Sequence, residues 1–159
     1  MNIKYLQGDI VDVAIEYNIK NVAHNCNCFH TMGAGVAKRL NEYTGNKLLT
    51  EDKHSPHGDI NKLGTYTMIS YNGMKFFNLY GMFVYRSLLN SYKPNNVFVH
   101  WNSLHTALLN AIMDIDGDFI IPVMGCDLAG GNTDDFVTMI GHIINEIDDN
   151  NRTLHIVEK

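Results

Sequence analysis

The segment "VAHNCNCFHTMGAGVAKRL" (residues 22–40) changes its periodicity once, at Gly35. The residues before it, "KNVAHNC" (20–26), predict a strand. After it, the apolar residues follow the spacing of a helix: Val36, Ala37, Leu40 and Tyr43. Gly45 is then the expected end of that helix. A strand that passes through a glycine turn directly into a helix indicates an α/β fold.

The rest of the chain repeats this alternation. Further strands are predicted over 2–7, 118–124 and 153–159, and a hairpin over 64–71 and 74–83 around Asn72-Gly73. Further helices are predicted over 97–115 and from about Asp134. The polar residues 50–62 are predicted to be the least structured part. We therefore predict one α/β domain over residues 1–159, with helices on both faces of a mixed, mostly parallel sheet.

Charge and composition exclude several classes of protein. The net charge is −5, and the 12 lysines and arginines are scattered, which is unlike a nucleic-acid or membrane surface. The N-terminal residues lack the pattern of a secretory signal, and no stretch is long enough to span a membrane. Three cysteines do not form a disulfide framework, so we expect reduced thiols and a cytoplasmic protein.

Unusual residues follow three of the predicted strands. Gly8-Asp9-Ile10 follows the first, the "GAG" of residues 33–35 follows the second, and "GCDLAGG" (125–131) follows the strand at 118–124. Ligands of parallel α/β sheets bind where the strands end. Glycine turns and free helix amides there bind a diphosphate without lysine or metal. The alternative is that these are ordinary turns, with Asp9, Asn25 and Asn27 bonded to local backbone.

The histidines and cysteines of the opening segment allow several interpretations. His24, Cys26, Cys28 and His30 recur at a period of two, which would place them on one face of an extended chain. A zinc site is disfavoured, because structural zinc ligands come from two separated turns. A thioredoxin-like pair needs two residues between its cysteines, so buried thiols are favoured. His24 is either a buried core residue or a catalyst beside the anion site.

Four motifs together resemble the macro domain family, which binds ADP-ribose: "LQGDI", "AHNCNCFHTMGAGVA", "FNLYG" and "IPVMGCDLAGG". They occur in the family's order over nearly the whole chain. The resemblance implies a three-layer α/β/α macro domain fold. Within the family, "HNCNC…GAGVA" looks most like the branch of the yeast ADP-ribose 1″-phosphate phosphatase, the terminal ADP-ribose protein glycohydrolase and small phage and bacterial relatives.

The resemblance also implies roles for individual residues. Asp9 would accept the adenine amino group beside the Ile10 amide, and Asn27, with Asn25 close by, would hold the distal ribose. Two loops would wrap the diphosphate: Gly33, Ala34, Gly35 and Val36, and Gly125, Cys126, Leu128, Ala129, Gly130 and Gly131. The aromatic residue against the adenine is expected among Tyr80, Phe83 and Tyr85, with Tyr80 preferred. His24 falls where the phosphatase branch has its catalytic histidine.

Several residues depart from the family pattern and reduce the number of activities that we expect. Ala129 stands where the protein glycohydrolase has its catalytic aspartate, and no lysine follows "FFNLYGM" where that enzyme has its nucleophile. Asn132 and Thr133 replace an acid and a tryptophan that relatives commonly have. Asp127 is an extra carboxylate in the second loop, and we assign it a catalytic part on chemical grounds alone.

These observations predict a metal-independent phosphatase without a cofactor, which converts ADP-ribose 1″-phosphate to ADP-ribose and phosphate. His24 and Asp127 would be the catalytic residues. The alternatives are a reader that binds ADP-ribose without chemistry, a hydrolase that removes ADP-ribose from protein or nucleic acid, and a metal-binding regulator. Nucleic acid is expected as a partner only when it is ADP-ribosylated, and no membrane partner is expected.

Overall fold

The computed structural model describes residues 1–85, 97–126 and 129–159. Within them the strands are Asn2–Gln7 (β1), Asn21–Cys26 (β2), Tyr66–Tyr71 (β3), Met74–Tyr80 (β4), Phe119–Pro122 (β5) and Thr153–Glu158 (β6). The α-helices are Ile10–Glu16 (α1), Gly35–Tyr43 (α2), Lys47–His54 (α3), Trp101–Asp114 (α4) and Thr133–Glu146 (α5). A 3₁₀ turn covers Ile60–Lys62.

The strands form one mixed sheet in the order β1-β6-β5-β2-β4-β3. β1, β6, β5, β2 and β4 are parallel to one another, and β3 pairs antiparallel with β4. The β3–β4 turn has positive φ at Asn72 and Gly73, as expected for an Asn-Gly hairpin. The parallel strands all end at one edge of the sheet, which we call the carboxyl edge. The predicted mixed, mostly parallel sheet is confirmed.

Apolar residues cover both faces of the sheet and produce three layers. Adjacent residues of a strand point to opposite faces, as Phe76 and Phe77 of β4 do. One face packs against α4 and α5, for example through Leu108 and Ile140. The other face packs against α1, α2 and α3. The buried, nearly all-apolar β5 lies between these two layers, as its sequence predicted.

The prediction for residues 50–62 was wrong. Much of this polar segment lies in α3 and the 3₁₀ turn. Two of its charged residues, Asp52 and Lys62, are buried there. Asp52 is 1% exposed and Lys62 is 4% exposed. Their side chains face each other, with Lys62 Nζ 3.6 Å from Asp52 Oδ1. Composition predicted a loop because a buried ion pair is as polar as a solvated segment.

Helix α1 was not predicted from the sequence. Its residues are largely β-branched, but Asp9 caps it by accepting hydrogen bonds from the Val11 and Asp12 amides. The helix begins directly after β1 and returns the chain over one face of the sheet. None of the helices in the described ranges is long and apolar enough to cross a membrane.

Candidate functional site

The first glycine loop is open to solvent at the carboxyl edge. Gly33, Ala34 and Gly35 follow the end of β2 and are all exposed. A Cβ atom added at Gly33 or Gly35 would meet no other atom within 4 Å. Helix α2 begins here, and its N-cap Ala34 has no side chain that accepts a hydrogen bond from the first-turn amides. These amides, including that of the half-buried Val36, are therefore available to an anion.

The second glycine loop follows β5, the strand beside β2. The Gly131 amide donates to the Gly125 carbonyl at 2.9 Å, which joins the two ends of the loop. Gly125 and Gly130 have φ of +79° and +78°, a conformation that favours glycine. The indole of Trp101 lies directly against the loop, since a Cβ at Gly125 or Gly131 would come within 2.7 Å or 2.5 Å of it.

Other loop residues have backbone partners. The buried Ala129 accepts hydrogen bonds from the Phe98 and Val99 amides and donates to the carbonyl of the half-buried Cys126. Asp127 and Leu128 lie outside the described residues, so the catalytic part assigned to Asp127 and the binding part assigned to Leu128 stay predictions.

Asp9 lies at the end of β1 and is already bonded on both oxygens. Its Oδ1 caps α1, and its Oδ2 accepts a hydrogen bond from Arg39 Nε of α2 at 3.0 Å. Burial alone would raise the pKa of Asp9, but the hydrogen bonds from Arg39 and from the amides of Asp12 and Val11 together lower it. The ionised carboxylate thus connects the start of α1, beginning at the buried Ile10, to α2. No sequence signal connected Arg39 with Asp9, because the two residues lie 30 positions apart.

We expect Asp9→Ala to lower the free energy of unfolding by about 1 kcal/mol at neutral pH, because an N-cap acceptor is lost. The folded-state pKa is depressed, so this stabilisation is present above the unfolded-state pKa of about 3.9 and is lost as the pH falls through the folded value. Urea unfolding at several pH values measures it. Asp134→Ala is the control, since Asp134 is an exposed acidic residue in the first turn of a different helix, α5. A difference that grows on acidification would contradict this account.

Asn25 and Asn27 lie at the end of β2 in different environments. Asn25 points toward α4, and its buried Oδ1 has no hydrogen-bond partner among the described residues. Asn27 is 5% exposed, accepts from the Phe29 amide at 2.8 Å and donates to the Thr31 carbonyl at 3.2 Å. Asn27 therefore shapes the segment that leads to the first glycine loop.

His24 lies inside the sheet rather than at its edge. It is 2% exposed, and its Nε2 is 2.7 Å from Asn78 Oδ1 on the neighbouring strand β4. Because Asn78 Nδ2 donates to Thr67 Oγ1, its Oδ1 faces His24, and Nε2 carries the hydrogen. Burial lowers the pKa of His24 against the opposing effect of the Asn78 hydrogen bond, which keeps the imidazole neutral. This environment is that of a satisfied core histidine.

Tyr80 is placed differently from its expected position against adenine. It is fully buried, and its hydroxyl donates to Asp52 Oδ1 at 2.6 Å and lies 2.9 Å from Thr67 Oγ1. Its ring also lies under Lys62 Nζ. β4 is separated from β1 by three strands, so Tyr80 is far from Asp9 along the carboxyl edge. Tyr80 is a core residue, and the sequence-based assignment is corrected.

Cys26 and Cys28 are buried thiols, which confirms the favoured interpretation. Burial raises the pKa of Cys26 well above its usual value and that of Cys28 to about 11, so neither is a ready nucleophile. Cys26 Sγ contacts His24 Nε2 at 3.3 Å, whereas His30 Nε2 is bonded to the Ser55 carbonyl. No group of three or more His, Cys, Asp or Glu side chains within residues 1–85, 97–126 and 129–159 is placed to hold a metal ion.

An aromatic cluster that was not predicted from the sequence lies beside Asn27. The rings of Phe29 and His30 contact His57 with centroids 5.2 Å and 5.0 Å apart, and Phe29 also contacts Phe83. His57 belongs to the segment predicted to be least structured, so no sequence signal connected it with His30. Two cavities, of about 420 and 470 Å³, lie elsewhere, at the opposite edge of the sheet and between α4 and α5.

Solved structures share this fold at low sequence identity. The macrodomain of Thermus aquaticus DarG aligns with a TM-score of 0.74 over 99% of this chain and 98% of its own, at 11% identity. A macrodomain protein from Streptomyces coelicolor gives 0.68 over 99% of both chains, at 16% identity. The Trypanosoma brucei macrodomain, solved in complex with ADP-ribose, gives 0.70 over 99% of this chain and 64% of its own, at 11% identity. The fold is that of a macrodomain, as the sequence resemblance implied.

One phage protein is more similar in sequence. The chain is 33% identical over 144 residues to an uncharacterized 17.5 kDa protein from the tk-vs intergenic region of enterobacteria phage T4, and the match covers 84% of each chain. No family model matches the chain. At that identity and coverage, the chain belongs to the same protein family as this phage T4 protein.

Proposed function

We propose that residues 1–159 form one domain that binds ADP-ribose along the carboxyl edge. The observation that supports this most strongly is the pair of glycine loops at the ends of the adjacent strands β5 and β2. The first-turn amides of α2, which no N-cap side chain occupies, suit a diphosphate, and the open face of the first loop leaves room for it. The T. brucei macrodomain, which shares the fold, was solved with ADP-ribose.

The sheet order gives the ligand a direction. Asp9 lies at β1, and the glycine loops lie at β5 and β2, two and three strands along. Adenine bound at Asp9 would therefore place the diphosphate between the loops. The distal ribose would then lie at the end of β2 near Asn27. The lone pairs that remain on Asp9 Oδ2 suit the adenine amino group.

Within this ligand class we propose ADP-ribose 1″-phosphate as the substrate and phosphate release as the reaction. We place this reaction in the cytoplasm, or in the host cytoplasm if the protein is phage-encoded. The resemblance to the phosphatase branch supports it. The burial of His24, however, favours the second candidate, a reader without chemistry, over hydrolysis by His24. Removal of ADP-ribose from a modified protein or nucleic acid would instead release free ADP-ribose.

We expect Gly33→Val to abolish ADP-ribose binding while leaving stability nearly unchanged. A Cβ atom added at Gly33 meets no atom within 4 Å beyond its chain neighbours, and φ at Gly33 is not positive, so we expect the fold to tolerate a side chain there. It would occupy the space proposed for the diphosphate. Calorimetric titration with ADP-ribose measures the affinity, and thermal unfolding measures the stability.

Gly141→Val is the matched control, because a Cβ at this helix position also meets nothing within 4 Å. We expect it to bind ADP-ribose like the wild type. If the wild-type protein binds no ADP-ribose, the proposed function is wrong. If folded Gly33→Val binds as tightly as the wild type, the first glycine loop is not the binding surface.

A further inference from the structure

Two histidines, His30 and His57, lie next to each other past the end of β2, where the proposed function puts the distal end of the ligand. We propose that His30 and His57 contact the phosphate carried on the distal ribose and move the protons of its hydrolysis. This inference rests on the proposed function and replaces His24 as the source of catalysis. It is carried by the position of the pair, the orientation of His30 and the exposure of His57.

The position follows from the order of the strands. Asp9 at β1 and the end of β2 are separated by three strand spacings, about 14 Å at about 4.8 Å each. The segments that carry the two histidines are joined to each other and to the chain past β4, because the Gly58 amide donates to the Cys28 carbonyl and the Cys28 amide donates to the Phe83 carbonyl. A ligand that starts at Asp9 and crosses both glycine loops therefore ends at His30 and His57.

The ring of His30 is held in one tautomer. Its Nε2 lies 2.9 Å from the Ser55 carbonyl, which can only accept, so Nε2 carries a hydrogen. Nδ1 then has a lone pair when the ring is neutral, and it has no hydrogen-bond partner within the described part of the chain. A base whose second nitrogen is fixed by a backbone carbonyl is the usual arrangement of a catalytic histidine.

The backbone conformation of His30 also fixes the direction of its imidazole. Its φ of +58° is uncommon for a residue with a side chain and costs free energy that the surrounding structure must offset. The Asn27 side chain bonds on either side of it, to the Phe29 amide and the Thr31 carbonyl, and so fixes this turn. The segment therefore presents the imidazole in one defined direction.

His57 supplies the second imidazole. It is exposed, and it contacts the edge of the His30 ring and packs against Phe29. His24, in contrast, is enclosed on the α3 side of the sheet and reaches no solvent. His57 is thus open to water and substrate, with the half-buried His30 beside it, whereas the histidine inside the strand is enclosed.

The reaction balances with water alone. Nδ1 of His30 takes a proton from water as the water oxygen attacks phosphorus, and the bond between phosphorus and the oxygen on C1″ breaks. Protonated His57 gives its proton to that oxygen, which becomes the 1″-hydroxyl of ADP-ribose. The products are ADP-ribose and hydrogen phosphate, and proton exchange with solvent restores both rings. Loop amides would stabilise the charge at phosphorus.

The test compares His30→Asn and His57→Ala with the wild type. Asparagine tolerates a positive φ, so His30→Asn keeps the turn but removes the imidazole. His54→Ala is the matched control, an exposed histidine three residues from His57. Phosphate release from ADP-ribose 1″-phosphate and affinity for ADP-ribose are measured for each protein. We expect each of the two variants to lose about 10²- to 10⁴-fold in phosphate release and less than about threefold in affinity.

The outcomes distinguish failure of catalysis by His30 and His57 from failure of the proposed ADP-ribose binding. Full phosphate release by His30→Asn and His57→Ala overturns the assignment of catalysis to this pair. A wild-type protein that binds ADP-ribose but releases no phosphate also overturns it and leaves the reader. A wild-type protein that binds no ADP-ribose overturns the proposed function itself. Loss of release in His54→Ala as well would show that the effect is not specific to the pair.

Discussion

Gly131→Ala is expected to abolish ADP-ribose binding and to lower the free energy of unfolding by about 1–3 kcal/mol, the usual cost of overpacking. The added Cβ would lie 2.4 Å from the Gly125 carbonyl oxygen and 2.5 Å from Trp101. The Gly125 oxygen accepts the hydrogen bond that closes the loop, so the clash opens the loop at the point where its ends meet. Urea unfolding and calorimetric titration measure the two effects.

Gly141→Ala is the control for this change, because it adds the same methyl group within α5 where no atom lies within 4 Å. It should raise the stability by about 0.5–1 kcal/mol, the ordinary gain of alanine over glycine in a helix, and leave binding unchanged. Gly131→Ala with wild-type affinity would show that the second loop does not contact the ligand.

The sequence predicted the layers and the glycine loops because their signals are local. The change of period at Gly35 marks β2 and α2, and Asn72-Gly73 marks the hairpin, since each depends on residues a few positions apart. The loops at the ends of β2 and β5 follow from glycine and from the rule for parallel strands. The family resemblance added the expected order of the ligand's parts along the carboxyl edge.

The environments of His24, Tyr80 and His57 depend on pairings distant in sequence. His24 is neutral and enclosed because Asn78 lies opposite it on β4, 54 residues away. Tyr80 is a core residue because its hydroxyl donates to Asp52, which lies 28 positions earlier in the chain. No periodicity in the chain encodes these contacts. Residue type alone therefore selected the buried His24 and overlooked the contact between His30 and His57.

Asp52→Asn is expected to lower the free energy of unfolding by about 3–5 kcal/mol, the usual cost of leaving one partner of a buried ion pair unpaired. Lys62 Nζ has no hydrogen-bond partner in the described ranges and lies 3.6 Å from Asp52 Oδ1 and 4.1 Å from the centroid of the Tyr80 ring. Loss of the carboxylate leaves this ammonium group with the ring alone. Urea unfolding at neutral pH measures the change.

The double variant Asp52→Asn/Lys62→Met separates a charge effect from a packing effect. Methionine fills much of the volume of lysine without charge, so the double variant should be more stable than Asp52→Asn alone. The double variant should lose less unfolding free energy than the two single variants together, because each single change leaves the charge of the other residue buried without its partner. If the double variant loses as much as the two single variants together, the two residues do not act as a pair. The burial of Asp52 in α3 and of Lys62 in the 3₁₀ turn would then stabilise the protein only through packing.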